Sequence, residues 1–194
     1  MKKIILTLTL VLAAINLLAQ EHLSFKGIPI EGSMTDFCQK LKAKGFTSIG
    51  SENNITLFSG DFTGRDATVG VTATDDGENV FAVVVIFDSS DEWNTLVNTY
   101  DYYKDLYTRK YGKPTISKEK NPALSDSNTA LMAEVHQGTV VYGSAWEVTG
   151  GDIQLSIEKS SGVYEGMVMI RYRDSQNIEA KMGQRKNLRG KFKN

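Results

Sequence analysis

The sequence predicts an α+β protein of two tandem units, each one helix packed on a roughly four-stranded antiparallel sheet. Two windows, near 34–44 and 91–111, carry apolar residues at helical spacing, and each is followed by segments with strand-like alternation. The order then repeats. Advancing by 84 positions places Leu57 on Val141, Phe58 on Tyr142 and Phe62 on Trp146. The same advance places Val69, Val71 and Ala73 on Ile153, Leu155 and Ile157, and an advance of 86 places Asp88 on Asp174. The 41% hydrophobic and 23% charged residues are ordinary for a globular chain. They exclude disorder, a collagen-like fibre and a multi-span membrane protein for the bulk of it.

The elements follow in order. Lys2 and Lys3 precede the apolar run Ile4 to Leu18, which Thr7, Thr9 and Asn16 interrupt. The run is shorter than the ~20 residues of a comfortable span, and Ala19-Gln20 offers a cleavage point. Residues 1–19 are therefore expected to be an export signal, leaving a periplasmic or secreted protein with no membrane span. Phe25 to Ile30 reads as a short entry strand. Ser33 caps a helix, with Asp36 at capping-box spacing. Met34, Phe37, Cys38 and Leu41 then share one helical face, and Gly45 ends the helix. Ile55 to Ser59 is a strand candidate, and Val69, Val71 and Ala73 alternate with polar residues. Asp76-Gly77 marks a hairpin turn. Val80 to Phe87 is continuously apolar, as expected of a strand covered on both faces, or covered on one and adhesive on the other.

In the second half, Ser89 and Glu92 repeat the capping spacing. Trp93, Leu96, Val97, Tyr100, Tyr103, Tyr107 and Tyr111 form one helical stripe that Gly112 and Pro114 stop. Tyr102 leaves that stripe and is expected at the surface. Lys118 to Thr129 is polar and reads as a long loop. Strands are predicted at Thr139 to Val148, around Ile153 to Ile157, and at Val163 to Arg173. The division is thus 1–19 signal, 20–88 first unit, 89–174 second unit and 175–194 a basic tail.

The whole chain carries a net charge of −1. Lys2 and Lys3 lie in the signal, so the remainder carries −3. Six basic residues against Glu179 give 175–194 a charge of +5, which leaves −8 on residues 20–174. An acidic body disfavours nucleic acid as a partner. Cys38 is the single cysteine, so no disulfide forms within the chain. It sits in a helical stripe and reads as a small core residue.

No nucleophile elbow, Walker loop or dinucleotide motif is present. The histidines, His22 and His136, stand far apart, so no metal site and no cofactor are expected. His22 reads as mobile and His136 as a surface residue of a strand or loop. The acidic turn Asp75 to Asn79 lacks the spacing of a calcium loop.

One helix per unit covers one sheet face and leaves the other open. In the last strand Met167, Met169, Arg171 and Arg173 share a face. The 86-residue advance places Phe81, Val83, Val85 and Phe87 on the equivalent face. Contiguous apolar surface of that kind marks a contact site, unless the loop 118–129 or the tail covers it. Two tandem helix-plus-sheet units in an exported chain resemble the beta-lactamase inhibitory proteins, over most of residues 33–174. The resemblance implies binding through a sheet face and lacks that family's disulfides; it carries over no contact residues and no target. The expected function is a non-enzymatic exported binding module for a protein or glycan partner of the cell envelope. Phe81, Val83, Val85, Phe87, Met167 and Met169 would be its anchors, and Arg171 and Arg173 its charge-matching groups. The alternatives are an envelope hydrolase with a carboxylate-lined cleft between the units, and a homodimer that buries the same face.

Overall fold

A computed structural model describes residues 22–52, 54–120, 126–179 and 181. The predicted signal and most of the basic tail lie outside the described residues. The chain is α+β. A two-stranded hairpin, β1 (Ser24–Phe25) and β2 (Ile28–Pro29), opens it, and α1 (Met34–Ala43) follows. Then come β3 (Thr47–Glu52), β4 (Ile55–Asp61), β5 (Asp66–Ala73) and β6 (Val80–Ile86). α2 (Trp93–Tyr111), β7 (Ile116–Lys120) and α3 (Asn128–Gln137) lead into β8 (Val141–Val148), β9 (Gly151–Lys159) and β10 (Gly166–Asp174). Residues 175–179 are again helical.

The tandem-unit expectation is overturned. The large strands form one continuous antiparallel sheet of eight, in the order β3-β4-β5-β6-β10-β9-β8-β7. The sheet is continuous because β6 and β10 pair directly, Val85 with Ile170 and Val83 with Tyr172. The helices are not one per half either: α1 lies on β5, while α2 and α3 both lie on β9 and β10. The predicted loop 118–129 contributes the end of β7 and the start of α3. The predicted entry strand is a hairpin, folded back at Lys26-Gly27.

All three long helices bury their apolar faces in one core. On α1 these are Phe37 and Leu41; on α2, Trp93, Leu96, Tyr100, Tyr103 and Tyr107; on α3, Leu131, Met132 and Val135. The two helix starts differ. Ser33 Oγ accepts from Asp36 N, as its spacing predicts. Ser89 does not cap α2: its hydroxyl donates to Glu165, and Trp93 N donates instead to Asn128 Oδ1 of α3 at 2.7 Å. A distant side chain thus satisfies an amide that the first helical turn leaves open. Gly166 lets both helices close on β10, because a Cβ there would lie 2.7 Å from Leu96 Cδ1 and 3.0 Å from Val135 Cγ1.

The β1–β2 hairpin packs into the core between the β3–β5 side of the sheet and the central strand β10. Phe25 meets Phe62, Phe46 and Tyr172 with ring centroids 5.7, 6.3 and 5.1 Å away. Asp174, fully buried at the end of β10, accepts from Leu23 N at 2.9 Å and Asn177 N at 3.0 Å. Asn177 Nδ2 donates to Ile30 O and Val80 O. His22 is held rather than mobile, with Nδ1 3.1 Å from Asp174 and Nε2 3.5 Å from Glu31. His136 ends α3 and faces the ring of Tyr164, so it belongs to a helix rather than a strand or loop.

Two tight turns carry non-glycine residues in the left-handed region: Lys26 at φ 51° before Gly27, and Thr63 at φ 56° before Gly64. Paired positive φ values are what two-residue hairpin turns demand, and a β-branched residue is strained there. Thr63→Asn creates an Asn-Gly turn and gives up the contacts of the Thr63 hydroxyl to Phe62 O and Tyr103, while Tyr103 keeps its own bond to Phe62 O. This variant is expected to gain roughly 1 kcal/mol, read as a rise of ~2–4 °C in thermal midpoint by circular dichroism.

Candidate functional site

The helices and the β1–β2 hairpin occupy one face of the sheet, and no described helix lies on the opposite face, termed the open face. Its composition follows from the ladders. One row across it runs Leu57, Gly70, Val84, Arg171, Gln154, Ala145 and Ile116, from β4 to β7. The next runs Ser59, Thr68, Ile86, Met169, Ser156, Gly143 and Lys118. The centre is apolar, with Val84, Ile86, Met167 and Met169 lying side by side on β6 and β10. Larger apolar side chains stand nearer the edges: Ile55 and Leu57 on one side, Ile116 and Val141, each more than half exposed, on the other. Between centre and far edge the small residues Gly143, Ala145 and Ser156 floor a groove of about 610 Å³. Ile116, Lys118 and Val141 border it on one side, Arg171 and Glu158 on the other.

The expected anchors divide between the two faces. Met167, Met169, Arg171 and Arg173 stand on the open face. Val83, Val85 and Phe87 do not: they are buried in the core beneath the helices. The cause is one of parity. The inward residues of β10 are Val168, Ile170 and Tyr172, which are 85 positions beyond Val83, Val85 and Phe87, not 86. A slip of one residue exchanges the faces of a strand. The residues of β6 that do reach the open face are Ala82, Val84 and Ile86. Phe81 falls where the β5–β6 register shifts, is partly exposed, and lies under Lys181 Nζ at 4.0 Å. Of the loop 118–129 expected to cover the face, the described residues form the end of β7 and the approach to α3, which packs on the helical side, and residues 121–125 lie outside the described residues.

The two arginines are already paired. Arg171 forms a two-pronged ion pair with Glu158, and its guanidinium also donates to Ser156 Oγ. Arg173 binds both oxygens of Asp152, with its closest approach at 2.8 Å. Each pair links β10 to β9 across the ladder. The hydrogen bonds from Arg171, opposed by partial burial, hold the Glu158 carboxyl below the usual carboxylate range. The open face therefore presents neutralised pairs around an apolar centre, not free positive charge.

A polar cluster lies on the helical side. Tyr100 of α2 shares hydrogen bonds with Ser144 Oγ at 2.7 Å and Glu119 Oε1 at 2.9 Å, while Ser117 and Lys104 also donate to Glu119. Partial burial alone would raise the Glu119 pKa, but these donors outweigh it and leave the group below its ordinary value. Burial pushes the Tyr100 hydroxyl pKa far up, which keeps it a neutral donor. Ser144 is buried and also donates to Glu119 at 3.4 Å, so the cluster fastens edge strand β7 to α2 and β8. Among the described residues no group of three or more His, Cys, Asp or Glu is placed to hold a metal, and no helix is long and apolar enough to cross a membrane. Cys38 is half-buried against the core, and burial raises its thiol pKa.

No protein-family model, curated protein or solved structure matches this chain.

Two outcomes test this assignment of faces and charges. Val85→Glu buries an unpaired charge and is expected to cost roughly 4 kcal/mol or more, whereas Val84→Glu, one residue away, should keep a near-native melting transition. A depressed carboxylate pKa gives stability that is complete above the unfolded value and lost as pH falls through the folded one. The wild type should therefore lose stability below about pH 4.5 more steeply than the double variant Glu119→Gln/Glu158→Gln in acid denaturation followed by circular dichroism.

Proposed function

We propose that this protein is a non-enzymatic binding module whose working surface is the open face of the sheet, centred on Val84, Ile86, Met167 and Met169. The observation that carries the reading is the one-sided layering. A single core places every long helix on one face and leaves on the other an eight-stranded sheet with an apolar centre in which Val84, Ile86 and Met167 are partly exposed around a buried Met169. Contiguous exposed apolar surface rimmed by polar residues is characteristic of contact sites. Methionine at its middle suits a surface that adapts to the partner's shape.

The chemistry favours a protein over a glycan. Sugar recognition draws on aromatic rings as stacking platforms, and the rows of the open face hold none. They offer aliphatic anchors, small floor residues and cross-strand ion pairs, which suit an extended segment or an aliphatic ridge of a protein. The export signal expected at residues 1–19 supports a periplasmic or secreted location for such a module. In this proposal the chain resembles the beta-lactamase inhibitory proteins in working through a sheet face, with no target carried over.

The test is site-specific photocrosslinking in the intact cell envelope, with p-benzoylphenylalanine replacing Ile86 or Leu57 and, as control, the exposed Tyr102 on the helical side. One partner protein joined from Ile86 and Leu57 but not from Tyr102 is expected. Val84→Glu should reduce that adduct and weaken the purified complex by roughly 2 kcal/mol or more. The same adduct from Tyr102, or none from Ile86 and Leu57, overturns the reading. An adduct with a second copy of the chain replaces it with self-association.

A further inference from the structure

A second cavity lies on the helical side, away from the open face. It is a cleft of about 800 Å³ between the β1–β2 hairpin, the C-terminal half of α2 and the β8–β9 turn. That volume falls in the range of small-molecule sites. Phe62, Tyr107, Tyr111 and Tyr172 are among its lining residues. The buried hydroxyls of Tyr107 and Tyr172 bond to each other. One bond uses one of the two hydroxyl hydrogens, and the other has no acceptor among the described residues. Burial raises the pKa of both tyrosines, so they serve as neutral donors.

The rim is cationic. Lys26 and Lys110 both line the cleft, and neither forms an ion pair among the described residues. Their ammonium groups sit over the wall rings, Lys26 5.6 Å from Phe62 and Lys110 4.8 Å from Tyr111. Glu147 is the one carboxylate among the lining residues. Backbone strain gathers at the same place. Lys26 and Thr63 are two of the four described non-glycine residues at positive φ, and both line the cleft. Strain of this kind concentrates at ligand sites.

We infer that this cleft binds a small organic carboxylate that carries a ring. The ring lies between the aromatic walls and the carboxylate meets Lys26 and Lys110. Charge and stacking act together: a neutral ring gains only the walls, and a small inorganic anion gains only the rim.

The probe is 2-naphthoate, titrated into the purified exported protein by calorimetry and by backbone amide NMR, with the neutral 2-naphthylmethanol as comparison. Saturable binding with shifts at Lys26, Gly27, Lys110 and Tyr111 is expected. Lys26→Gln/Lys110→Gln should weaken it by about tenfold or more, and the alcohol should bind weaker by a similar factor. Glu147→Gln removes the opposing charge and should tighten binding, which keeps the inference testable if the double variant folds poorly. Absence of saturable binding, equal affinity for acid and alcohol, or shifts centred on Val84 and Ile86 instead would overturn it.

Discussion

The β6–β10 ladder is the interaction on which the rest of the structure depends. Strands β3 to β6 and β7 to β10 each pair in sequence order, joined by turns except between β7 and β8, where α3 intervenes. Only the pairing of residues 82–86 with 169–173 makes them one sheet. Both strands are apolar on the helical face, where Val83 and Val85 meet Tyr172 and Ile170. On the open face Val84 and Ile86 meet Arg171 and Met169. Because the seam sits mid-sheet, its open side becomes the centre of the exposed surface. The feature that unites the fold also creates the apolar patch.

Two smaller devices secure that seam. Asp174 and Asn177, just past β10, gather amides and carbonyls from Leu23, Ile30 and Val80. They tie the beginning of the described chain to its end and to the start of β6. A fully buried carboxylate is costly unless it is hydrogen-bonded, and the amides of Leu23 and Asn177 meet that need. Phe25 completes the join from the hairpin side by touching Phe62 and Tyr172 at once. On the helical side the Asn128 cap on Trp93 makes the start of α2 depend on α3, so those two helices are set by each other.

Elements with strong local signals were legible in the sequence. The α1 cap at Ser33, the α2 aromatic stripe and the alternation in β5, β9 and β10 all declare themselves within a few residues. β3 was not legible, because every one of its residues is exposed and nothing alternates. β7 was hidden by its charges, since Ser117 and Glu119 face a polar cluster instead of a hydrophobic layer. α3 did carry a usable signal in Ser127, Leu131, Met132, Val135 and Gly138, masked by the polar stretch before it. The candidate surface was half legible. The face of β10 was read correctly, but β6 is apolar on both faces and offers no internal clue to which side is inward. Its partner across the seam sets the parity, and that partner is more than eighty residues away.

That separation governs how the chain reaches its structure. Val85 and Ile170 are 85 positions apart, and contacts of such long range raise contact order and slow folding. Until β10 has been made and positioned, Val80 to Phe87 is a β-prone apolar stretch without charge or proline, the composition that favours intermolecular sheet formation. The chain's yield would then be governed by the rate of seam closure more than by the stability of the finished sheet.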